Sequence, residues 1–368
     1  MGFDKDVTPC RKVKEFQKYA GMISVGKDIR SHTIALKEDG SVLATGHNEH
    51  GQCKTSNWVR IKAVSAGYFH TVGLRDDGCV LATDISGSPN NFGQCTVDTW
   101  REIVAVAAGQ AHTVGLKSDG TVITTRYHDA PGCTSNYKDC ENNTSEWHDI
   151  IAIAAGEAHT VGLCYDGTVV ATKVRSHSGM SLSVRQWEVG EWHDIIAISA
   201  GRAHTVGLRK DGTVVATGWN HNSQCQVQNW SDIVAISAGD HYTVGLKSNG
   251  TVVTTIDTRD RQSIDFYGDD EYDIYSWRDI IAIAAGGRHT VGLKADGTVI
   301  STQHAVQALQ SSYYSNECNV MGWRLFSGKL PAHGLMENSQ IKRIGKRRID
   351  ISEILAKCYV EANRLKEE

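Results

Sequence analysis

The sequence predicts an all-β fold, a seven-bladed β-propeller of four-stranded antiparallel blades with a short C-terminal α-helical tail. Three observations predict it. A unit close to A-G-x-x-H-T-V-G-L-x-x-D-G-T-V-V-A-T recurs seven times in the 368 residues. The turn glycines of successive units are 38 to 47 residues apart, a period typical of propellers and solenoids. Within a unit, apolar residues alternate with a period of two, which indicates strands rather than helices.

Each unit predicts a β-hairpin. In the fifth unit, Val206 and Leu208 share one face of a strand, a turn follows at Lys210-Asp211-Gly212, and a second β-branched run completes the hairpin. The turn glycine can take a positive φ angle without a Cβ clash. Eight residues before its turn glycine, each unit carries one of these pairs: His32-Thr33, His70-Thr71, His112-Thr113, His159-Thr160, His204-Thr205, Tyr242-Thr243 and His289-Thr290.

A third strand is predicted before the hairpin. Apolar runs with little polar interruption lead into hairpins two to seven, a pattern typical of strands buried on both faces. They begin at Trp58, Trp100, Trp147, Trp192, Trp230 and Trp277. A fourth strand is expected between each hairpin and the next tryptophan, which would complete a propeller blade. Glycine at one repeated place in the second strand indicates close approach of another backbone.

The sequence leaves two ways to close the ring. A seventh tryptophan-led run starts at Trp323, but no hairpin follows it, and the first hairpin lacks a tryptophan upstream. Either residues 323–326 join the first hairpin, or residues 20–25 form its missing strand and Trp323 lies outside. Closure would remove the exposed strand edges that an open row of blades leaves.

We divide the chain into an N-terminal segment (1–19), the propeller (20–326), and a basic linker with an amphipathic helix (327–368). Two interpretations of the basic cluster at 342–348 stay open: a contact with nucleic acid, and a charged face exposed to solvent. It is the only part of the chain for which we consider contact with nucleic acid. Apolar residues at three- and four-residue steps predict a helix over 351–366. Its apolar stripe has three candidate docking sites: the propeller itself, a second copy of the chain, or a partner.

Composition points to a cytoplasmic protein without a membrane partner. The net charge of −4 gives no general basic field for nucleic acid, no apolar run approaches the length of a membrane span, and residues 1–6 show no apolar signal segment. The chain has ten cysteines, of which four lie five residues before a tryptophan: Cys53, Cys95, Cys225 and Cys318. We interpret them as small repeat positions, too far apart to pair or to share a metal.

We expect no catalytic residue, no metal and no cofactor, and therefore a protein that is not an enzyme. The repeated histidines would lie well apart around a ring, so we interpret them as hydrogen-bond donors to the neighbouring backbone. The chain lacks a G-x-S-x-G motif, a phosphate-binding loop and an H-E-x-x-H motif. The acidic run at 269–273 lacks the spacing of a calcium-binding EF-hand loop.

Two motifs connect the chain to a known family. The hairpin reads G-x-x-H-T-x-x-L-x-x-D-G-x-V, and the link after it reads G-x-N-x-x-G-Q-C-x-V-x-x-W. The link motif runs from Gly46 to Trp58 in the first unit and from Gly218 to Trp230 in the fifth, where Ser223 replaces a glycine. Over about residues 20–326 the chain resembles the regulator of chromosome condensation repeat family, and the near-identity of its units is similar to bacterial members. The resemblance implies a seven-bladed propeller.

The resemblance also implies function through protein binding. Members of this family include a nucleotide exchange factor for a nuclear small GTPase that docks on nucleosomes, a plant ultraviolet-B photoreceptor, bacterial effectors acting on host GTPases, and a secreted inhibitor of β-lactamases. The photoreceptor carries tryptophans beside its His-Thr pairs, and this chain does not. The choice among these activities is therefore made from the site and not from the fold.

The links between blades predict where a partner binds. From the last threonine of a hairpin to the next tryptophan, the link spans 13 residues in units one and five but 17 to 22 in the others. Insertions confined to one link emerge on one face of a ring, often the binding face. The long links carry the aromatic and charged side chains typical of interfaces. The predicted partner-binding residues are Tyr127, Tyr137, Arg175, Arg185, Trp187, Tyr267, Asp269, Asp270, Tyr272 and Tyr313.

The sequence thus predicts a non-enzymatic scaffold that binds another protein through variable loops on one propeller face. Two alternatives stay open. The first is a guanine nucleotide exchange factor for a small GTPase, which release of labelled nucleotide would identify. The second is a proteinaceous enzyme inhibitor, which one-to-one inactivation of a captured enzyme would identify.

Overall fold

The computed structural model describes residue 16 and residues 19–27, 31–88, 90–125, 143–173, 185–256, 274–302 and 319–327. In this part of the chain, strands form seven antiparallel sheets, each with three strands paired in chain order, and each sheet is one blade. Blade by blade, the strands are β1 (Ile23–Val25), β2 (His32–Leu36), β3 (Val42–Gly46); β4 (Ile61–Ala66), β5 (Thr71–Arg75), β6 (Val80–Ala82); β7 (Ile103–Ala108), β8 (Thr113–Lys117), β9 (Val122–Thr124); β10 (Ile150–Ala155), β11 (Thr160–Cys164), β12 (Val169–Ala171); β13 (Ile195–Ala200), β14 (His204–Arg209), β15 (Val214–Gly218); β16 (Ile233–Ala238), β17 (Thr243–Lys247), β18 (Val252–Thr254); β19 (Ile280–Ala285), β20 (Thr290–Lys294), β21 (Val299–Ser301).

The blades close into a ring around their first strands. Strand β1 lies beside β4, each following first strand lies beside the next, and β19 returns to β1. The backbone shows the same closure, because the amide of Gly287 donates a hydrogen bond to the carbonyl oxygen of Gly26 at 3.1 Å. The predicted all-β propeller with seven blades is therefore confirmed.

The apolar core lies between neighbouring blades. Ile34 and Leu36 of blade one pack in one cluster with Trp58, Ile61 and Val64 of blade two. Because each sheet has a neighbour on both sides, its strands bury both faces, as in β2, where all five residues are buried. This packing explains why the repeated units read as almost continuous apolar runs.

The glycine inside the second strand makes room for a tryptophan ring. A Cβ on Gly207 would lie 2.9 Å from ring carbons of Trp192, and one on Gly292 would lie 2.7 Å from Trp277. The prediction that another backbone approaches at this place is wrong, since the neighbour is the aromatic side chain that opens the same blade. In blade one the position is Ala35, which packs in one cluster with the partly buried Trp323.

The hairpin turns contain three residues. In blade five, the carboxylate of Asp211 accepts hydrogen bonds from the amide (2.9 Å) and the hydroxyl (2.7 Å) of Thr213. Gly212 has a φ angle of 83°, which is left-handed backbone that glycine adopts without strain. The D-G pairs therefore act as predicted, with the aspartate fixing the turn and the glycine allowing the chain to return.

Both ends of the described chain take part in closing the ring. Strand β1 pairs with β2 from Ile23 to Val25, so the segment at 20–25 supplies the first strand of blade one. The segment at 323–326 lies across the junction: the amide of Leu325 donates to the Gly297 carbonyl oxygen, and its own carbonyl oxygen accepts from the amide of Glu38, both at 2.9 Å. The sequence left two alternatives for closing the ring, and each is confirmed in part: residues 20–25 supply the first strand of blade one, and residues 323–326 bridge the last hairpin and the first.

The expected fourth strand is not formed by the described links of blades one and five. Their backbone groups bond within consecutive turns instead, as in the bond from the amide of Trp58 to the Thr55 carbonyl oxygen at 3.0 Å. The side chain of Asn48 accepts from the amide of Cys53 at 2.8 Å, and Asn220 does the same for Cys225 at 2.9 Å. Because their amide and carbonyl groups are already used in local turns, these links have no continuous row of backbone groups left for pairing as a strand.

The tail, with the helix predicted at 351–366, lies outside the described residues.

One residue before each of six first strands has left-handed backbone although it is not glycine. The φ angles lie between 58° and 61° at Arg60, Glu102, Asp149, Asp194, Asp232 and Asp279. This geometry directs the carbonyl oxygen of Glu102 to the amide of Ser118 in the hairpin turn, at 3.0 Å. Aspartate and asparagine tolerate left-handed backbone better than other residues with a Cβ.

We expect Glu102→Asn to stabilise the protein by about 0.5 kcal/mol, because asparagine relieves part of the strain of the left-handed backbone. Urea unfolding of both proteins measures the difference. Glu146→Asn is the matched control, since Glu146 is exposed and has no positive φ. A Glu102→Asn protein no more stable than the control variant would contradict this account of the position.

Candidate functional site

A ring of hydrogen bonds joins the blades through the His-Thr pairs. His204 Nε2 lies 3.0 Å from Thr243 Oγ1 in the next blade, and the other five ring histidines make the same contact at 2.7 to 3.2 Å. In blade six the hydroxyl of Tyr242 lies 3.0 Å from Thr290 Oγ1. The histidines were expected to bond the neighbouring backbone; they bond a threonine hydroxyl instead. Their role is to connect blades.

The hydrogen bonds fix the tautomer of these histidines, and burial keeps them neutral. Thr205 Oγ1 donates to the carbonyl oxygen of Gln186 at 2.7 Å, so its lone pairs are left to accept from His159 Nε2–H. Loss of solvent on burial lowers the pKa of His159 and His204 to about 3 and that of His112 to about 4. The buried imidazoles are therefore neutral at neutral pH.

The loop after each first strand begins with a repeated glycine close to the backbone of the next blade, and the residues that follow it differ from blade to blade; these glycines are Gly26, Gly67, Gly109, Gly156, Gly201, Gly239 and Gly286. The first of them is, in blade order, Lys27, Tyr68, Gln110, Glu157, Arg202, Asp240 and Gly287. In blades two to seven the second is Phe69, Ala111, Ala158, Ala203, His241 and Arg288. Because they sit in the short loops between the first and second strands, these residues gather at one end of the ring axis.

Four of these loop residues form a charged network. Arg202 Nε lies 3.1 Å from a carboxylate oxygen of Glu157 and 3.8 Å from one of Asp240, whose side chain is 3% exposed. His241 Nε2 lies 3.3 Å from the other oxygen of Asp240. Burial and the nearby Arg202 and Arg288 lower the pKa of His241 to about 4, so it is neutral at neutral pH. The network links blades four, five and six.

Lys27 extends from blade one across the axis. Its Nζ donates to the carbonyl oxygen of Ala155 at 3.2 Å and to that of Ala200. These alanines end the first strands of blades four and five. Burial lowers the pKa of Lys27 to about 8, against the attraction of Asp240, which acts in the opposite direction. The ammonium group thus lies in a poorly solvated place at the centre of the ring.

Aromatic side chains lead outward from the axis over blades one and two. The rings of Tyr68 and Phe69 are 6.2 Å apart, and Phe69 meets His50 edge-on at 5.6 Å. The two ring nitrogens of His50 lie 3.0 Å from Ser88 Oγ and 3.1 Å from Asn90 Nδ2. His50 belongs to the link of blade one, and Ser88 and Asn90 to that of blade two. The two links are therefore held together as one surface.

All seven links begin at the same end of the ring. In an antiparallel blade the third strand ends where the second begins, and the amide of Thr83 accordingly bonds the carbonyl oxygen of Thr71 at 3.0 Å, as Thr125 bonds Thr113 at 2.9 Å. The link starts therefore lie on the same side as the variable axial loops. We call this side the loop face and the opposite side, with the D-G turns, the turn face.

The structure describes two of the ten predicted partner-binding residues. Arg185 is exposed and pairs with the carboxylate of Glu188 at 3.2 Å, while its carbonyl oxygen accepts from Thr217 Oγ1 at 3.2 Å. Trp187 is half-buried and follows Gln186, so it occupies the repeat position that holds cysteine in other blades. The other eight lie outside the described residues: Tyr127, Tyr137, Arg175, Tyr267, Asp269, Asp270, Tyr272 and Tyr313.

The axial residues are missing from the sequence prediction, although a signal for them exists. Lys27, Arg202 and Asp240 all directly follow the repeated glycine, at a position where the seven units disagree inside a stretch that otherwise repeats. The predicted residues lie in the links, because the links differ in length, whereas the axial residues differ only in identity. Only the ring brings these single positions from different blades together.

Described cysteines are free thiols, and burial raises the pKa of Cys53 to about 11 and that of Cys225 to about 12. Within the described ranges, no three His, Cys, Asp or Glu side chains gather in a way that would hold a metal ion. No helix in that same part of the chain has the length and apolar character needed to span a membrane.

Comparison with solved structures identifies the fold. The ectodomain of the receptor kinase ACR4 of Arabidopsis thaliana is 18% identical, with a TM-score of 0.54, and the match covers 77% of this chain and 97% of that one. Prp20p of Saccharomyces cerevisiae, described with its binding properties to Gsp1p and histones, is 16% identical, with a TM-score of 0.51 over 73% and 81% of the two chains. At these identities the likeness concerns the fold alone.

The sequence comparisons concern the repeats. A search of curated proteins returns no match. The family model for the Regulator of chromosome condensation (RCC1) repeat matches residues 30–52, 61–94 and 195–224. These ranges contain hairpins one, two and five, and the remaining blades repeat the same His-Thr contact and the same turn. Three of the seven blades therefore carry RCC1 repeats, and the resemblance to the RCC1-repeat family is confirmed.

Proposed function

We propose that this protein is a non-enzymatic propeller that binds another protein through its loop face. The observation that carries the proposal is the concentration of blade-specific residues on that face. The units are nearly identical along their strands and turns, while the axial loops and the links differ. A rigid ring with variable side chains at one end is the arrangement of a binding surface on a scaffold.

The chemistry of the loop face suits a protein partner. Phe69 and His50 supply aromatic edges, and Arg202 supplies a guanidinium group that is one-third exposed. Aromatic and arginine side chains held by their own neighbours lose little freedom on binding. The free cysteines fit a reducing compartment, and we place the protein in the cytoplasm.

Nucleotide exchange on a small GTPase is the second candidate. It is supported by the RCC1 repeats and by the fold shared with Prp20p, whose binding to Gsp1p is described. We assign this activity to the same loop face, because the blade-specific residues are concentrated there. Release of labelled nucleotide from candidate GTPases in the presence of the purified protein distinguishes it from simple binding.

The test is capture of a partner from the source organism with the whole chain as bait. Links three and six are shortened to the 13-residue length of link one, and a separate variant carries Phe69→Ala. We expect each change to reduce capture of the partner at least tenfold, because removal of an anchoring aromatic side chain costs about 1.4 kcal/mol or more.

Tyr165→Ser is the matched control, because Tyr165 is 60% exposed in the hairpin turn of blade four, on the turn face and at the opposite end of the blade from the start of its link. Its capture should equal that of the natural sequence. Unchanged capture by the loop-face variants, or loss with Tyr165→Ser alone, would overturn the assignment of the binding face.

A further inference from the structure

We propose that residues 9–16 form an amphipathic helix that docks on an apolar rim around the axis at the turn face, where Phe16 already lies. The occupant of this surface is thus a segment of the chain itself, and it closes the end of the axis opposite the loop face. Docking on the turn face does not depend on the proposed binding of a partner to the loop face.

The rim is built by the start of the first strands. In blades two to seven, the pairing of the first strand with the second shifts in register across one residue at this place, which is a β-bulge. The first strands surround the axis and begin at the turn face, so the bulge residues stand around the axis there. We call them the turn-face rim: Lys62, Val104, Ile151, Ile196, Val234 and Ile281.

The apolar side chains of the turn-face rim are covered unequally. Val234 and Ile281, in blades six and seven, are 2% and 6% exposed. Their equivalents in blades three to five are only half-buried: Val104, Ile151 and Ile196. Branched aliphatic side chains that stay half-exposed around one opening form an apolar surface, and covering it is favourable.

Phe16 lies on the covered side of the rim. Its side chain packs against two apolar clusters, of which one contains Val234 and the other Ile281. These clusters take alternate residues of β19, so they lie on opposite faces of blade seven, and a side chain that meets both lies at an edge of that sheet. The carbonyl oxygen of Phe16 accepts from the amide of Tyr19 at 3.1 Å, and Tyr19 leads into β1 at the turn face.

The sequence before Phe16 carries the signals of a helix. Phe16 itself has helical backbone. Thr8 is a favoured capping residue at the start of a helix, and Pro9 is favoured at the first helical position. A helix that starts at Pro9 and reaches Phe16 has eight residues, which is too short to be stable in water without packing against another surface.

One side of this helix continues the contact that Phe16 makes. Cys10 and Val13 precede Phe16 at steps of three residues, so the three side chains share one side, while Arg11 and Glu15 fall on the other. Val13 lies about 5 Å before Phe16 along the helix axis. The apolar side therefore extends from the covered part of the rim toward the half-exposed part, which gives both surfaces a partner.

Hydrogen exchange of the whole chain, followed by mass spectrometry, tests the docking. In the natural sequence we expect the amides of residues 10–16 to be protected. Val13→Asn places a polar side chain against the rim and should make these amides exchange at least tenfold faster. The strands should keep their protection, which separates undocking of the segment from unfolding of the ring.

Arg11→Asn is the matched control, because it places the same residue on the opposite side of the helix. Arginine favours helices more than valine does, so the control loses at least as much intrinsic helix stability. Its exchange at residues 10–16 should equal that of the natural sequence. Equal acceleration by Val13→Asn and Arg11→Asn, or exchange of the natural segment at the rate of an unstructured chain, would overturn the proposal.

A variant of the rim tests the other side of the contact. Ile151→Thr combined with Ile196→Thr reduces the apolar area of the rim and keeps β-branched side chains in the strands. Exchange at residues 10–16 should become at least threefold faster. Val59→Thr is the control, since Val59 is 64% exposed and lies outside the rim. Unchanged exchange in the rim variant would show that the segment docks elsewhere and would refute the site.

The same data identify any other occupant. If residues 351–366 are protected, the rim variant removes that protection and residues 10–16 exchange freely, the rim belongs to the C-terminal segment and the proposal falls. If protection at residues 10–16 is lost on dilution of the protein, the segment docks on a second copy of the chain, and docking within one chain is refuted.

Discussion

The five ring histidines with lowered pKa are expected to take up about one proton between them when the protein unfolds at pH 7, and about five when it unfolds at pH 5. Burial lowers the pKa of five ring histidines to about 3 or 4: His32, His70, His112, His159 and His204. The unfolded chain restores a pKa near 6.5, so it binds protons that the folded ring excludes. The stability is fully present above pH 6.5 and is lost as the pH falls below it.

The size of the fall in stability follows from the thermodynamic linkage between proton binding and unfolding. Each histidine contributes about 1.4 kcal/mol per pH unit inside the window from pH 6.5 to about 4, and five together contribute about 7 kcal/mol per unit. The whole stability of a folded domain is about 5–15 kcal/mol. Urea unfolding at pH 7.5, 6.5, 6.0 and 5.5 should therefore show a steep fall, with the protein unfolded near pH 5.

Two variants check the origin of the slope. His159→Gln retains an N–H donor for Thr205 and removes one titrating group, so the slope should fall by about 1.4 kcal/mol per pH unit. His148→Asn changes a histidine whose side chain is 81% exposed and should leave the slope unaltered. Uptake of one proton or none on unfolding at pH 5 would show that the ring histidines are not neutral in the folded protein.

Gly201→Ala is expected to destabilise the ring by about 3 kcal/mol or more. An added Cβ would lie 2.2 Å from Cε1 of His204 and 2.6 Å from the carbonyl oxygen of Gly239 in the next blade. The imidazole is held in the interblade hydrogen bond to Thr243 and the other neighbour is backbone, so neither can yield without breaking the contact between blades. Urea unfolding at pH 7.5 measures the loss.

The matched control is Gly190→Ala, because a Cβ at Gly190 meets no atom within 4 Å and the residue has no positive φ. Its effect should lie within about 0.5 kcal/mol of zero. Equal effects at the two glycines would mean that the blades do not pack around the axis as closely as the structure shows.

The strands and turns were predictable because they depend on interactions between residues within one unit. Thr213 and Asp211 fix the turn within three residues, and a period of two places Val206 and Leu208 on one face, whatever the other blades do. The fourth strand and the neighbour of Gly207 were predicted wrongly for the opposite reason. Competition between local turns and packing decides whether a link pairs as a strand. It also decides which group fills the space beside a glycine.

The site was predictable only in part. Link lengths read along the chain indicated the loop face, and Arg185 is exposed there. The cluster of Lys27, Arg202 and Asp240 was not indicated, because residues 27 and 240 come from opposite ends of the ring sequence. Their meeting requires closure of the ring, which depends on contacts between the two ends of the chain.

The sequence by itself determined the repeat, the hairpins, the number of blades and the family resemblance, since these rest on interactions between residues close in the chain. Only the tertiary structure decided how the ring closes, what the histidines bond, and which single residues meet at the axis. The physical reason is that ring closure brings equivalent positions of different blades close together in space. The period-two pattern within a strand does not specify which of these positions meet.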